Sequence, residues 1–116
     1  MKSQKTSSNE LSPSGERKIP PLRLNAATEA DLEAIDEYSN DMFGDDFADT
    51  YMRGFRELFD LLRRHPQAGQ MKAELGEGVR CIIHRKHRIF YKIEGKLVLI
   101  LRVIHHARNA KRELNS

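Results

Sequence analysis

Four histidines lie among a run of cationic residues: His84, His87, His105 and His106, with Arg80, Arg85, Lys86, Arg88, Lys92, Arg102 and Arg108 around them. Imidazole exchanges protons near neutral pH, and guanidinium groups grip phosphates and carboxylates. Acid–base work on a phosphodiester is therefore one chemistry open to this set. Binding a polyanion or an acidic protein is the other. A metal centre is not expected. His84 and His87 flank a tight turn that makes them diverge, and no carboxylate or thiolate ligand stands beside them in sequence. They read as surface or hydrogen-bonded histidines. No cofactor is expected either. Gly76-Glu77-Gly78 lacks the Lys-Ser/Thr of a phosphate-binding loop and enters a strand rather than a helix.

The stretch Val79–His106 must position these groups. Val79–His84, Ile89–Ile93 and Leu97–Ile104 are rich in β-branched and apolar residues. Arg85-Lys86 and Glu94-Gly95 separate them, short enough for hairpin turns. The spacing predicts three antiparallel strands. Upstream, Leu22-Arg23-Leu24 alternates as a short edge strand after Pro21. Thr28 is read as a helix cap with Asp31 three residues on, a variant of the capping box. Leu32, Ile35, Tyr38 and Met42 form one helical stripe, which Gly44 ends. Asp45 or Asp46 is read as the cap of a second helix. Its stripe is Phe47, Tyr51, Phe55, Leu58 and Leu62, and Pro66 stops it. The order is β-α-α-β-β-β, an α+β domain with a helical hairpin packed on one face of an antiparallel sheet.

Composition bounds the rest. A chain of 116 residues with 39% hydrophobic and 32% charged residues is one domain with a modest core. Residues 1–20 are polar and read as a disordered arm, residues 21–112 as the domain, and 113–116 as a frayed tail. No apolar run is long enough to span a bilayer. Lys2 and Lys5 are not followed by the apolar core of a secretory signal. The single cysteine, Cys81, suits a reducing cytoplasm and reads as a buried structural thiol. Charge is segregated. Ala27–Asp60 holds eleven acidic and two basic residues, and Leu61–Ser116 holds thirteen basic and four acidic. The two halves carry −9 and +9, which either neutralise each other within the fold or leave a basic face for an acidic partner.

The segments in order carry a family resemblance. They are Ala30-Asp31-Leu32-Glu33-Ala34-Ile35 with Tyr38, then Tyr51, then His65-Pro66-Gln67-Ala68-Gly69, then Gly78-Val79-Arg80. His87-Arg88-Ile89-Phe90-Tyr91 and Ile100-Leu101-Arg102-Val103-Ile104-His105 complete the set. Over about Leu22 to Arg112 the chain resembles the ParE toxins of bacterial type II toxin–antitoxin modules, within the ParE/RelE superfamily. The resemblance implies a cytoplasmic toxin that poisons DNA gyrase, blocks replication and is neutralised by a ParD-type antitoxin. It implies no hydrolytic chemistry of its own. RelE relatives cleave mRNA in the ribosomal A site on the same fold, so the residues must decide. The early-strand lysines of RelE are replaced here by Val79-Arg80-Cys81-Ile82-Ile83, and no tyrosine follows Tyr91. Arg88 matches the third-strand arginine and Arg108 the later one. The set is incomplete, which favours the gyrase poison. In the alternative, a ribosome-dependent endoribonuclease, the catalytic groups would be His84, His87, Arg88, His105 and Arg108.

For the gyrase poison, the expected target-binding residues are Arg80, Arg88, Tyr91, Arg102, His105 and Arg108. Arg80, Arg88 and Arg102 would form a basic patch if they share the sheet face away from the helices. An arginine inside the apolar Leu97–Ile104 run also needs a partner, and an acidic residue of the hairpin could supply it. The antitoxin is expected to fold across the hairpin at Tyr38, Met42 and Tyr51, drawn in by the basic half.

Overall fold

A computed structural model describes residues 21–115. The polar arm of residues 1–20 therefore lies outside the described residues. Strand β1 (Leu22–Leu24) leads into helices α1 (Ala26–Phe43) and α2 (Asp45–Arg64). Short β2 (Gln70–Met71) follows, then β3 (Arg80–His84), β4 (His87–Glu94), β5 (Leu97–His105) and a terminal helix α3 (Ala110–Leu114). The five strands form one sheet in the order β1-β5-β4-β3-β2. The pairs β2–β3, β3–β4 and β4–β5 are antiparallel. At the far edge β1 runs parallel to β5, pairing Leu22 with Val98 and Leu24 with Ile100. The α+β architecture stands, but the sheet is mixed, because the helical hairpin carries the chain back across the sheet before the meander begins.

Alternation along the strands divides the core in two. Tyr51, Phe55, Phe59 and Leu62 of α2 pack on Ile89, Tyr91, Val98, Ile100 and Val103. The opposite face buries Val79, Cys81, Phe90 and Ile104 beneath Ala110, with Leu114 packed against them. α3 thus roofs the second face and crosses the expected boundary at residue 112. Its Asn109 cap accepts from the Arg112 amide, so the segment is anchored at its start.

Three local expectations change. α1 is capped by Asn25, whose side chain accepts from the Thr28 amide at 2.8 Å. Thr28 is buried and donates its hydroxyl to the Ile100 carbonyl at 3.0 Å, tying α1 to β5. Asp31 does not cap at all, because it reaches the sheet. α2 starts from Gly44, with no side-chain cap from Asp45 or Asp46. Their carboxylates sit in its first turn, where the helix dipole favours them. Pro66 ends α2 as expected, and the loop after it folds into two single 3₁₀ turns flanking β2.

Candidate functional site

The strand register sets Arg80 apart from the other two arginines expected to share a patch. Arg80 pairs with Tyr91, on the face under the helices, whereas Arg88 pairs with Ile83, on the face that carries Phe90. Arg80 donates to the carbonyls of Gln67 and Gly69. Arg88 lies over the Phe90 ring and donates to the carbonyls of His106 and Arg108. A register shift sets the face of Arg102: Phe90 pairs with Arg102, but the next residue, Tyr91, pairs with Ile100. The extra residue puts Arg102 on the face of Phe90, and from there its side chain reaches α1. There Arg102 makes a two-pronged ion pair with Asp31, at 2.8 and 2.9 Å, and Asp31 also accepts from the Val103 amide. The backbone of Glu113 takes a third bond from Arg102. Tyr91 is fully buried. Its hydroxyl donates to the Pro66 carbonyl and accepts from the Gly69 amide. Arg80, Arg88, Tyr91 and Arg102 are thus committed within the fold and do not form one basic patch. Tyr91 has no surface to offer a target.

The histidines do gather, around Tyr51. The Tyr51 hydroxyl and Nδ1 of His87 share a hydrogen bond of 2.8 Å. His87 lies edge-on to His105, which stacks on His106 with ring centres 4.5 Å apart. His84 is wedged against Phe55 and Tyr51, and its Nε2 is buried without a hydrogen-bond partner. Burial is the first cause that lowers the pKa of His84, and likewise that of His105. Among the described residues, no three His, Cys, Asp or Glu side chains are placed to share a metal ion. Cys81 is buried, and burial raises its thiol pKa.

The histidines set a pH dependence. The His87 pKa falls from 6.5 to about 4, first through burial and then through repulsion from His105, His84 and His106. The unfolded chain takes up this proton at the ordinary pKa, before the folded chain does. The stability from a neutral His87 is therefore complete above about pH 6.5 and is lost as pH falls toward 4. Urea midpoints should fall between about pH 7 and pH 5, and His87→Asn should make that slope shallower. Equal slopes would remove His87 from the account.

A glycine explains why His84 fits. A Cβ at Gly54 would lie 2.3 Å from Cε1 and 2.6 Å from Nε2 of His84. The ring cannot retreat easily, because Phe55 and Tyr51 flank it. Alanine would gain about 1 kcal/mol of helix propensity but overpack the ring by about 1–3 kcal/mol. Gly54→Ala should therefore destabilise, and adding His84→Ala should relieve part of the loss. A Gly54→Ala protein that melts above the parent would contradict this contact.

Of the expected antitoxin residues, Tyr38 and Met42 are 61% and 58% exposed, whereas Tyr51 is only 8% exposed. Phe43 and Phe47, both exposed, extend the apolar strip. A groove of about 570 Å³ opens here, lined by Ile35, Tyr38, Phe43, Phe47 and Tyr51 on one side and by Arg85, Lys86, His105 and Arg108 on another. Sequence reasoning missed Phe43, Phe47 and the turn residues Arg85 and Lys86 as parts of one site. The hairpin signal places Arg85-Lys86 at a turn, but does not say where that turn points. Asp31 is visible in the sequence only as a cap. The isolated Gly54 inside a helical pattern is the one available hint of a close approach.

Comparison with known proteins sets these features in a family. The family described as "ParE toxin of type II toxin-antitoxin system, parDE" matches residues 22–110. Toxin ParE1 of Caulobacter vibrioides is 34% identical over 96 residues, covering 83% of this chain and 99% of the relative. Toxin ParE1 of Mycobacterium tuberculosis is 29% identical over 92 residues, covering 78% of this chain and 94% of the relative. Among solved structures, a chain from the chromosomal ParDE system of P. aeruginosa superposes with a TM-score of 0.66 at 22% identity, covering 75% of this chain and 96% of that one. A chain of the RelBE2 toxin–antitoxin complex of Mycobacterium tuberculosis gives 0.57 at 22% identity, covering 76% and 99%. These two likenesses concern the fold.

Proposed function

The chain belongs to the ParE toxin family of type II toxin–antitoxin systems, and from that premise we propose that it poisons DNA gyrase, acts by binding rather than hydrolysis, and is held inactive by a ParD-type antitoxin. The observation that carries the non-hydrolytic reading is the fate of the candidate nuclease groups. Arg88 is bonded to two backbone carbonyls, His84 is caged, and His87 is held neutral by its burial against Tyr51. A group that must take and give protons near pH 7 should have a pKa near that pH, and His87 lies far below it. The proposed setting is the cytoplasm. Among the described residues no helix is long and apolar enough to cross a membrane.

Purified protein added to gyrase and relaxed plasmid should block supercoiling or trap cleaved DNA, and its induction in cells should arrest growth. Normal supercoiling at large molar excess would sink the gyrase reading. One observation keeps a second reading in view: His105 and Arg108 line the open groove, and His106 stacks on His105. Primer extension on mRNA from induced cells would reveal A-site cuts if the chain were a RelE-like endoribonuclease.

A further inference from the structure

We propose that the sheet face opposite the helical hairpin, where α3 leaves it open, holds the phosphate backbone of a DNA duplex through a row of cations: Arg23, Lys92 and Lys72. The face and its charge stand independently of the gyrase reading. Only the choice of DNA over RNA rests on that reading, because DNA is the duplex that the proposed target handles.

The row follows from alternation and register. Leu22 and Leu24, Tyr91 and Ile93, and Val98 and Ile100 all pack in the core under the hairpin. Arg23, Lys92 and Leu99 stand between them and therefore belong to the opposite face. Leu99 pairs with Arg23 on one side and with Lys92 on the other, so the three lie side by side. Lys72 carries the row to the far edge. Its amide bonds the carbonyl of Val79, which is buried on this same face, and its charge acts on the Cys81 thiol there. Strands lie about 4.8 Å apart, so the backbone positions of Arg23 and Lys92 are about 10 Å apart, with Lys72 a similar step further.

The charge of the row is unspent. Among the described residues, Asp31–Arg102 is the ion pair that joins the acidic hairpin to the sheet, and the others link Arg63 to Asp60 within α2 and Arg102 and Arg108 to Glu113. Arg23, Lys92 and Lys72 enter none of them. Glu94 shares the face two residues beyond Lys92 and pairs with no cation there. The −9 and +9 halves of the sequence thus stay largely separate in the fold. The face is also incompletely roofed. α3 packs over Val79, Cys81, Phe90 and Ile104, whereas Leu97 and Leu99 belong to neither core and are half-buried.

A duplex suits this face better than its rivals. Single strands are held by stacking bases on aromatic rings, and Phe90, the ring that the strands place here, is buried. A protein partner is anchored by a large side chain set in a pocket. Here the apolar surface is two half-buried leucines among cations. A duplex backbone asks only for spaced cations at the surface. The row also lies apart from the histidines: Lys92 is five residues along β4 from His87, about 17 Å of strand.

The test is fluorescence anisotropy of a labelled DNA duplex of about 20 base pairs, titrated with the full chain across a salt series. The logarithm of affinity should fall with the logarithm of salt at a slope of about −3 or steeper. Arg23→Gln/Lys72→Gln/Lys92→Gln should flatten that slope by about 2–3 and weaken binding about tenfold or more at low salt, with a melting temperature near the parent's. Arg23→Lys/Lys72→Arg/Lys92→Arg, which keeps the charges, should retain both slope and affinity. Arg85→Gln/Lys86→Gln, at the opposite end of β4, should retain them too. No binding at low salt, an unchanged slope in the triple Gln variant, or equal flattening in the Arg85/Lys86 variant would each overturn the proposal. So would tighter binding of the single strand, tighter binding of an RNA duplex, or displacement of the DNA by polyglutamate at equal charge, which would point to an acidic protein. Supercoiling and growth arrest are not read in this experiment, so the open face and the gyrase reading fail separately.

Discussion

Asp31→Ala should lower the free energy of unfolding by about 2–4 kcal/mol, among the largest losses any single surface-reachable carboxylate in this chain can cause. The substitution removes both prongs of the Arg102 pair and the acceptor for the Val103 amide at once. The pair is mostly shielded, with 20% of the Arg102 and 14% of the Asp31 side chain exposed. Solvent therefore recovers only part of the lost interaction, and the guanidinium is left with the Glu113 contacts alone. Urea titrations of Asp31→Ala, Arg102→Met and the double variant form the check. The two losses should fall well short of adding, because each single change already breaks the same contact. A cost below about 0.5 kcal/mol for Asp31→Ala would mean that the pair does not hold α1 to the sheet. The experiment also bears on function. Loss of toxicity in an Arg102 variant should track lost folded protein by circular dichroism rather than a lost target contact.

Tyr91→Phe should cost a similar amount, about 2–4 kcal/mol, although it removes only one oxygen. That oxygen serves two backbone groups, the Gly69 amide at 2.7 Å and the Pro66 carbonyl at 2.6 Å. Both would be left without this partner beside a ring that remains in place, and water has little room to replace it. The hydroxyl staples the turn that follows α2 onto the centre of the sheet. Amide hydrogen exchange gives the sharper reading: Gly69 should change from slow exchange to fast, while exchange at the Ile89 and Ile100 amides should change only in step with global stability. Gly69→Ala approaches the same contact from the other side. Its Cβ would lie 2.6 Å from both Cε1 and the hydroxyl of Tyr91. If Tyr91→Phe leaves Gly69 protected, the staple is not what orders the turn.

The sequence announces elements well and side-chain destinations poorly. The apolar periods of β3–β5 and of the helical hairpin survive because each period is local: it depends on residues two to four positions apart. Gly44 and Pro66 mark helix ends for reasons held in a single residue. Arg102 is different. Its direction depends on a one-residue slip between β4 and β5, and a period of two offers no way to foresee where that slip falls. Arg80 and Arg88 lie on neighbouring strands, and the turn between them puts them on opposite faces. Asp31 reads as a local cap because a carboxylate near a helix start commonly is one. Its actual partner is 71 residues away. The groove combines the open ends of α1 and α2 with the distant β3–β4 turn, so only its separate pieces are legible.

The parallel pairing of β1 with β5 has a consequence in time. During synthesis, Leu22–Leu24 emerges long before Leu97–His105, the strand it must lie beside. α1 faces the same wait, since Thr28 and Asp31 find their partners at Ile100, Arg102 and Val103. For most of translation the helical hairpin has no sheet to cover, and its inner face stays open to chaperones or to any partner already present. Such distant contacts slow folding, because a long loop must close before any of them forms. A growing chain would complete the groove abruptly and late, when β5 slots between β4 and β1. Arrest of translation just before Leu97 should therefore yield a nascent chain with helices but without the completed groove. A conformation-specific binder of the finished groove, applied to such stalled chains, would report the step.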